Sequence, residues 1–304
     1  MMKFNNSKPL IVGGLPRSGT TALTRFVYRQ LLIESDNPPG YCDELFRILP
    51  SVYEINWLDK PRMISLANKS KDALVLDVEN VDATDFMFPV AGNNISTTLP
   101  YIKARVDSYK RYNFSDYFGK VFPMDLDMIK LIDQNYTKDL LLNHHWLICW
   151  REDWFELLIS ILYAINTKQF HVYGQQSFIE KHILLHPLQI DQDIHNIFGL
   201  FYKWISKDMD MTLISLDDIK NIPNNWNETP KDKVPTDWLV PPVVVDGKKK
   251  KMEELVLNYD IVKKRAFKRI GPMLSKYNGL FVLSEDKEKI HIDLTKLREK
   301  CILC

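Results

Sequence analysis

Short apolar runs alternate along this chain with longer stretches in which apolar residues recur every three to four positions. Leu10, Ile11 and Val12 form one such run, as expected of a strand covered on both faces. Leu23, Phe26, Val27 and Leu31 then keep the helical interval over residues 20–33, with Arg25 and Arg29 on other faces. Residues 118–123 and 146–150 read as further core strands. Helices are expected after them, over 124–133 and 154–165, the second apolar nearly all round and therefore buried. Another helical stretch covers 194–205, and the strand expected at 211–215 runs directly into Leu216-Asp-Asp-Ile219. Strands of about five residues alternating with helices predict an α/β fold of three layers, a parallel central sheet flanked by helices.

The intervening segments are less regular. Residues 35–40 read as a loop, 41–49 as a short helix closed by Pro50, 86–99 as a surface loop, and 101–112 as a basic helix. There is no internal repeat and no long linker. The 304 residues therefore read as a single domain, with a mobile insertion at 222–251, rich in Asn, Pro and Lys. Its lysines at 248–251 read as a solvated loop. At 45% hydrophobic residues the chain has ample material for a core.

Charge narrows the partners. Forty basic residues against thirty-nine acidic ones give a formal charge of +1, so nucleic acid is not an expected partner and any anion site must be local. The polar start, residues 1–8, has no apolar signal region, and the longest strongly apolar stretch, 157–165, is too short to cross a bilayer. The expectation is a cytoplasmic protein without a membrane partner. Cys42, Cys149, Cys301 and Cys304 are too scattered for a disulfide scaffold. Cys149 reads as a small core residue, and Cys301-Ile-Leu-Cys304 as a frayed terminus rather than a metal pair or a prenylation box.

The first candidate chemistry follows the first strand. Gly13 and Gly14 permit a sharp turn, and Arg17-Ser18-Gly19-Thr20-Thr21 bring amides and hydroxyls to a helix start, where unpaired donors and a partial positive charge make an anion cradle. The spacing Gly14-x-x-x-x-Gly19 matches a nucleotide-binding P-loop, but Thr20-Thr21 stands where Lys-Ser/Thr is expected. In ATPases that lysine reaches the β- and γ-phosphates, so its absence points to a ligand lacking the γ-phosphate. Leu15-Pro-Arg-Ser-Gly-Thr-Thr21 resembles the 5′-phosphosulfate loop of sulfotransferases, which take a sulfuryl group from 3′-phosphoadenosine 5′-phosphosulfate (PAPS).

A donor of that kind needs a second anion pocket for its 3′-phosphate. Arg151 stands at the C-terminal end of an expected strand, where ligands bind in open α/β sheets, and its guanidinium can grip a phosphate bidentately. Ser160 can add a hydroxyl from the next helix. This pair is similar to the 3′-phosphate motif of sulfotransferases. The spacing of nine, with Asp153 in place of a proline, is closer to the bacterial trehalose-sulfating branch than to the cytosolic aryl and steroid enzymes. The C-terminal Arg-Lys-Gly-x-x-Gly-x-Trp element of the cytosolic enzymes is missing here, and residues 214–219 resemble a downstream strand-to-helix element of the family.

The resemblance implies transfer of a sulfuryl group to a hydroxyl or amine of a small-molecule or glycan acceptor, with release of adenosine 3′,5′-bisphosphate and no metal. Arg17 is the expected charge on the leaving oxygen, and Arg17, Ser18, Gly19, Thr20, Thr21, Arg151 and Ser160 the expected donor site. Glu44 occupies the place of the base in the trehalose-type branch; the competing reading is an acid in the first turn of a helix starting near Asp43. His144 and His145 are rival bases, but they are expected on the sheet edge opposite the site. The other open readings are a P-loop kinase or nucleotide hydrolase, and a non-catalytic nucleotide-binding module. The acceptor's identity and the oligomeric state are not legible.

Overall fold

The computed structural model describes residues 8–34, 39–46, 106, 110, 117–167, 181–205, 209–220 and 251–297. Strand β1 (Leu10–Gly14) leads into helix α1 (Thr20–Glu34), followed by β2 (Gly40–Glu44) and β3 (Tyr117–Val121). Helices α2 (Pro123–Ile132) and α3 (Gln134–Leu142) precede β4 (His145–Trp150) and α4 (Trp154–Thr167). Then come α5 (Gln189–Ile205), β5 (Asp210–Ser215), α6 (Leu216–Lys220), α7 (Met252–Leu255), α8 (Tyr259–Leu274), and a hairpin of β6 (Phe281–Leu283) and β7 (Ile290–Ile292).

Four strands in the order β3-β1-β4-β5 form the body of one parallel sheet, and β2 extends it beside β3. Period-two alternation sends neighbouring residues to opposite cores. Ile11, Trp146, Ile148 and Trp150 join the larger core with α2, α3, α4, α5 and α8. Val12, Leu147 and Cys149 join Leu23, Val27 and Tyr28 of α1 on the other face. Both faces are covered, so the central strands β1 and β4 are buried almost throughout, and the arrangement is an α/β, P-loop-like one.

Local chemistry fixes several element starts. Pro123 opens α2, where its missing N–H costs nothing, and the Asp125 carboxylate accepts from the Phe122 amide at 2.8 Å. Asp133 caps α3 by accepting from the Tyr136 amide at 2.8 Å. Asp153 does the same for α4, accepting from the Glu156 amide at 3.2 Å.

One expectation needs correction. Residues 41–44 belong to strand β2 and not to a helix, because the edge of β3 offers a ladder that local propensity does not reveal. Arg25 and Arg29, placed on other faces of α1 than its apolar stripe, are themselves buried, at 6% and 4% exposure. The sequence pattern also under-read α5, which begins at Gln189, and gave no reading for α3, α8 or the hairpin. The loop at 86–99, most of the helix expected at 101–112, nearly all of the 222–251 insertion and the terminal cysteines lie outside the described residues. Among the described residues, no helix is long and apolar enough to cross a membrane.

Candidate functional site

The site starts at the C-terminal edge of β1. Gly14 and Gly19 take φ values of 140° and 98°, and Arg17 between them takes 68°, a left-handed conformation that bulky residues seldom adopt. At Gly14 a side chain is impossible for a second reason: its Cβ would lie 2.7 Å from the carbonyl oxygen of Cys149 on the neighbouring strand. Ser18 closes the turn, its hydroxyl and amide donating to the Leu15 carbonyl at 2.6 and 3.2 Å. Gly19 rests on the β5–α6 junction, where a Cβ would come within 2.6 Å of the Leu216 side chain. That junction is itself fixed, since Ser215 and Asp218 cap one another. Thr20 and Thr21 then form the first turn of α1, where amides lack intrahelical partners. Successive turns of this handedness make an anion nest.

Two side chains from elsewhere in the chain reach this loop. The Arg17 Nε–H donates to the Ser160 hydroxyl at 2.9 Å. Ser160 is a polar position in a helix whose neighbours Leu157, Leu158, Ile159, Ile161 and Leu162 are all buried, and it is itself 7% exposed. Its hydroxyl is turned across to the loop, which a purely packing role would not require. The second visitor is Lys120, fully buried on β3, whose ammonium donates to the Thr21 hydroxyl at 2.9 Å. Burying a charge is costly, so Lys120 is an unusual residue to find beside a positive-φ turn. It lies within an apolar strand pattern between Phe118 and Phe122, and the only sequence signal was the interruption of that pattern by a charge. Nearby, burial pushes the Cys149 thiol well above its ordinary range, with the Lys120 charge opposing. Cys149 is a packed thiol, not a nucleophile.

Arg151 emerges at the same edge, two residues beyond Cys149, the register partner of Gly14. Its side chain is 17% exposed and lies 3.9 Å from the Asp153 carboxylate that also caps α4. The sheet therefore brings Arg17, Ser18, Gly19, Thr20, Thr21 and Arg151 to one edge, and α4 adds Ser160. The backbone of Glu44 ends β2 in register with Lys120, at this same edge, so Glu44 does not open a helix. The Glu44 side chain lies outside the described residues.

The two rival histidines occupy the far edge. His145 pairs in register with Leu10 and Asp210 at the strand starts. Its ring nitrogens lie 3.0 Å from the Asp210 carboxylate and 3.0 Å from the Thr212 hydroxyl. His144 is buried with Nδ1 3.1 Å from the Leu140 carbonyl, and desolvation holds its pKa below the ordinary value. Among the described residues, no group of three or more His, Cys, Asp or Glu could hold a metal ion. Comparison of the chain with protein-family models, with curated proteins and with solved structures gives no match.

Proposed function

We propose that this protein is a sulfotransferase that uses PAPS and releases adenosine 3′,5′-bisphosphate. The observation that carries the reading is the 2.9 Å hydrogen bond from Arg17 to Ser160. These residues come from two segments, 143 positions apart, that the sequence linked only through their common resemblance to a PAPS site. The positive-φ turn and the buried Lys120 suit a phosphosulfate, which presents several anionic oxygens to one loop.

When bound, the donor would supply the sulfuryl group and a bisphosphate leaving group. The chain's own residues do the rest. Amides of residues 19–21 hold the 5′-phosphate side in the turn that Ser18 closes, and Arg151 with Ser160 serves the 3′-phosphate. Arg17 and Lys120 bring positive charge to the bridging oxygen, where negative charge grows as the bond to sulfur breaks. Glu44 accepts the proton of the attacking hydroxyl or amine, as its place at the end of β2 beside the Lys120 register position allows. The acceptor is a small molecule or glycan.

Lys120 supplies from β3 the loop cation that Thr20 does not, so the choice between this reading and a kinase or nucleotide hydrolase rests on the Arg151–Ser160 side. Thermal stabilisation by adenosine 3′,5′-bisphosphate and by ADP tests it. The first, at a hundred times its dissociation constant, should add about 2.7 kcal/mol, and ADP much less. Equal shifts would remove the 3′-phosphate pocket and the reading with it. Turnover of PAPS with sugars, phenols and amines separates the enzyme from a nucleotide-binding module.

A further inference from the structure

The loop that carries Arg151 is held from outside by the far end of the chain. The Trp150 indole N–H donates to the Ile290 carbonyl at 2.8 Å, and the Ile290 amide donates to the Glu152 carbonyl at 2.9 Å. Two residues on, the Trp154 indole N–H donates to the Lys287 carbonyl at 2.8 Å. A single antiparallel bridge joins Asp153 to Lys289, and His291 Nδ1 lies 2.9 Å from the Glu152 carboxylate. The residues on both sides of Arg151 are thus tied to the β6–β7 hairpin, more than 130 positions away in sequence.

The hairpin is stiff enough to act as an anchor. Its turn is closed by the Ser284 amide on the Lys289 carbonyl at 3.0 Å and the Lys289 amide on the Ser284 hydroxyl at 2.9 Å. Asp286 accepts from the Glu288 amide at 3.0 Å. Its base is packed through Phe281 against Trp150, Phe198 and Tyr277. Trp154 is fully buried and packs on Phe155 and Phe267. Packing alone would need only its ring; the directed N–H on a turn carbonyl is an additional specification.

We infer that the C-terminal hairpin is a built-in buttress of the anion pocket and that Trp154 is its positioning residue. By fixing the backbone on both sides of Arg151, it sets the guanidinium in place before the 3′-phosphate arrives, which lowers the ordering cost of binding. This inference rests on the donor reading above. It assigns 3′-phosphate selectivity to a contact that touches no ligand.

The test is calorimetric titration of adenosine 3′,5′-bisphosphate and of 5′-AMP into the full chain, the Trp154→Phe variant and the His291→Ala variant. The wild type should favour the bisphosphate. Trp154→Phe, losing one half-buried hydrogen bond, should cut that preference about three- to tenfold and leave 5′-AMP affinity unchanged. His291→Ala, at an exposed contact, should give a smaller loss in the same direction and decides the matter if Trp154→Phe does not fold. An undiminished preference in the folded variants overturns the buttress and leaves the donor reading standing. Equal affinity of the wild type for both nucleotides overturns the donor reading itself, and the buttress with it. A parallel fall in both affinities would assign Trp154 a general structural role and also overturn the inference.

Discussion

The two edges of the sheet carry similar numbers of polar groups and use them in opposite ways. At the strand starts, Lys8, His145, Asp210 and Thr212 spend their charges and hydrogen bonds on one another. At the strand ends, Ser160 and Lys120 reach a turn held at positive φ that carries Arg17, and Arg151 emerges at the same sheet edge. The first edge is a closed network that stitches β4 to β5. The second concentrates cations and amides where a parallel sheet leaves an open crevice. Polar groups that satisfy each other make stability; polar groups brought to one sheet edge, one of them on a buried lysine, are what the proposed site is built on.

Removing the proposed base should break this contrast most severely. Glu44→Gln keeps the shape and cannot take the acceptor's proton, so turnover should fall about a hundredfold to ten-thousandfold with donor affinity unchanged. Steady-state kinetics on the folded variant checks it, and near-normal turnover would move the search for a base to Asp43.

Lys120→Met comes next. Loss of a charge aimed at the bridging oxygen should lower turnover about a hundredfold to a thousandfold. The melting temperature should hold or rise, since a buried ammonium replaced by an apolar chain of similar length no longer carries its desolvation cost. A fall in stability with normal turnover would make Lys120 a structural residue and erase the difference between the edges.

The smallest effect belongs to the closed edge. Asp210→Asn should change turnover less than about twofold and cost less than about 1 kcal/mol, because the carboxylate is half exposed. Burial pushes the Asp210 carboxyl up, but hydrogen bonds from His145 and Lys8 outweigh it and hold the group below its ordinary value. A carboxylate depressed in the folded state stabilises above its unfolded pKa, near 3.9, and loses that contribution as pH falls through the folded value. Melting curves for wild type and Asp210→Asn should therefore draw together as pH is lowered from neutral through the carboxylate range. A gap that persists would mean that the carboxylate's charge is not what the network uses.

The phosphate-sized turn was legible in the sequence because its requirements are local: glycines at Gly14 and Gly19, hydroxyls next to a helix start, an apolar strand before them. The alternation of strands and helices was legible for the same reason, since a strand buried on both faces and a helix buried nearly all round leave periodic signatures. The sequence also set Arg151 at a strand end. Its hydrophobic pattern misread residues 41–44 as helical, because whether an ambiguous segment becomes a strand depends on the unpaired edge beside it. Lys120 showed in the sequence only as a charge interrupting an apolar pattern, since burial of a charge is a property of what packs around it. The meeting of Arg17 with Ser160, and the hairpin's hold on the loop of Arg151, join positions more than 130 residues apart. Only the strand order β2-β3-β1-β4-β5 and the packing of the β6–β7 hairpin against the end of β4 decide them, because non-local contacts follow from chain topology and leave no local pattern to read.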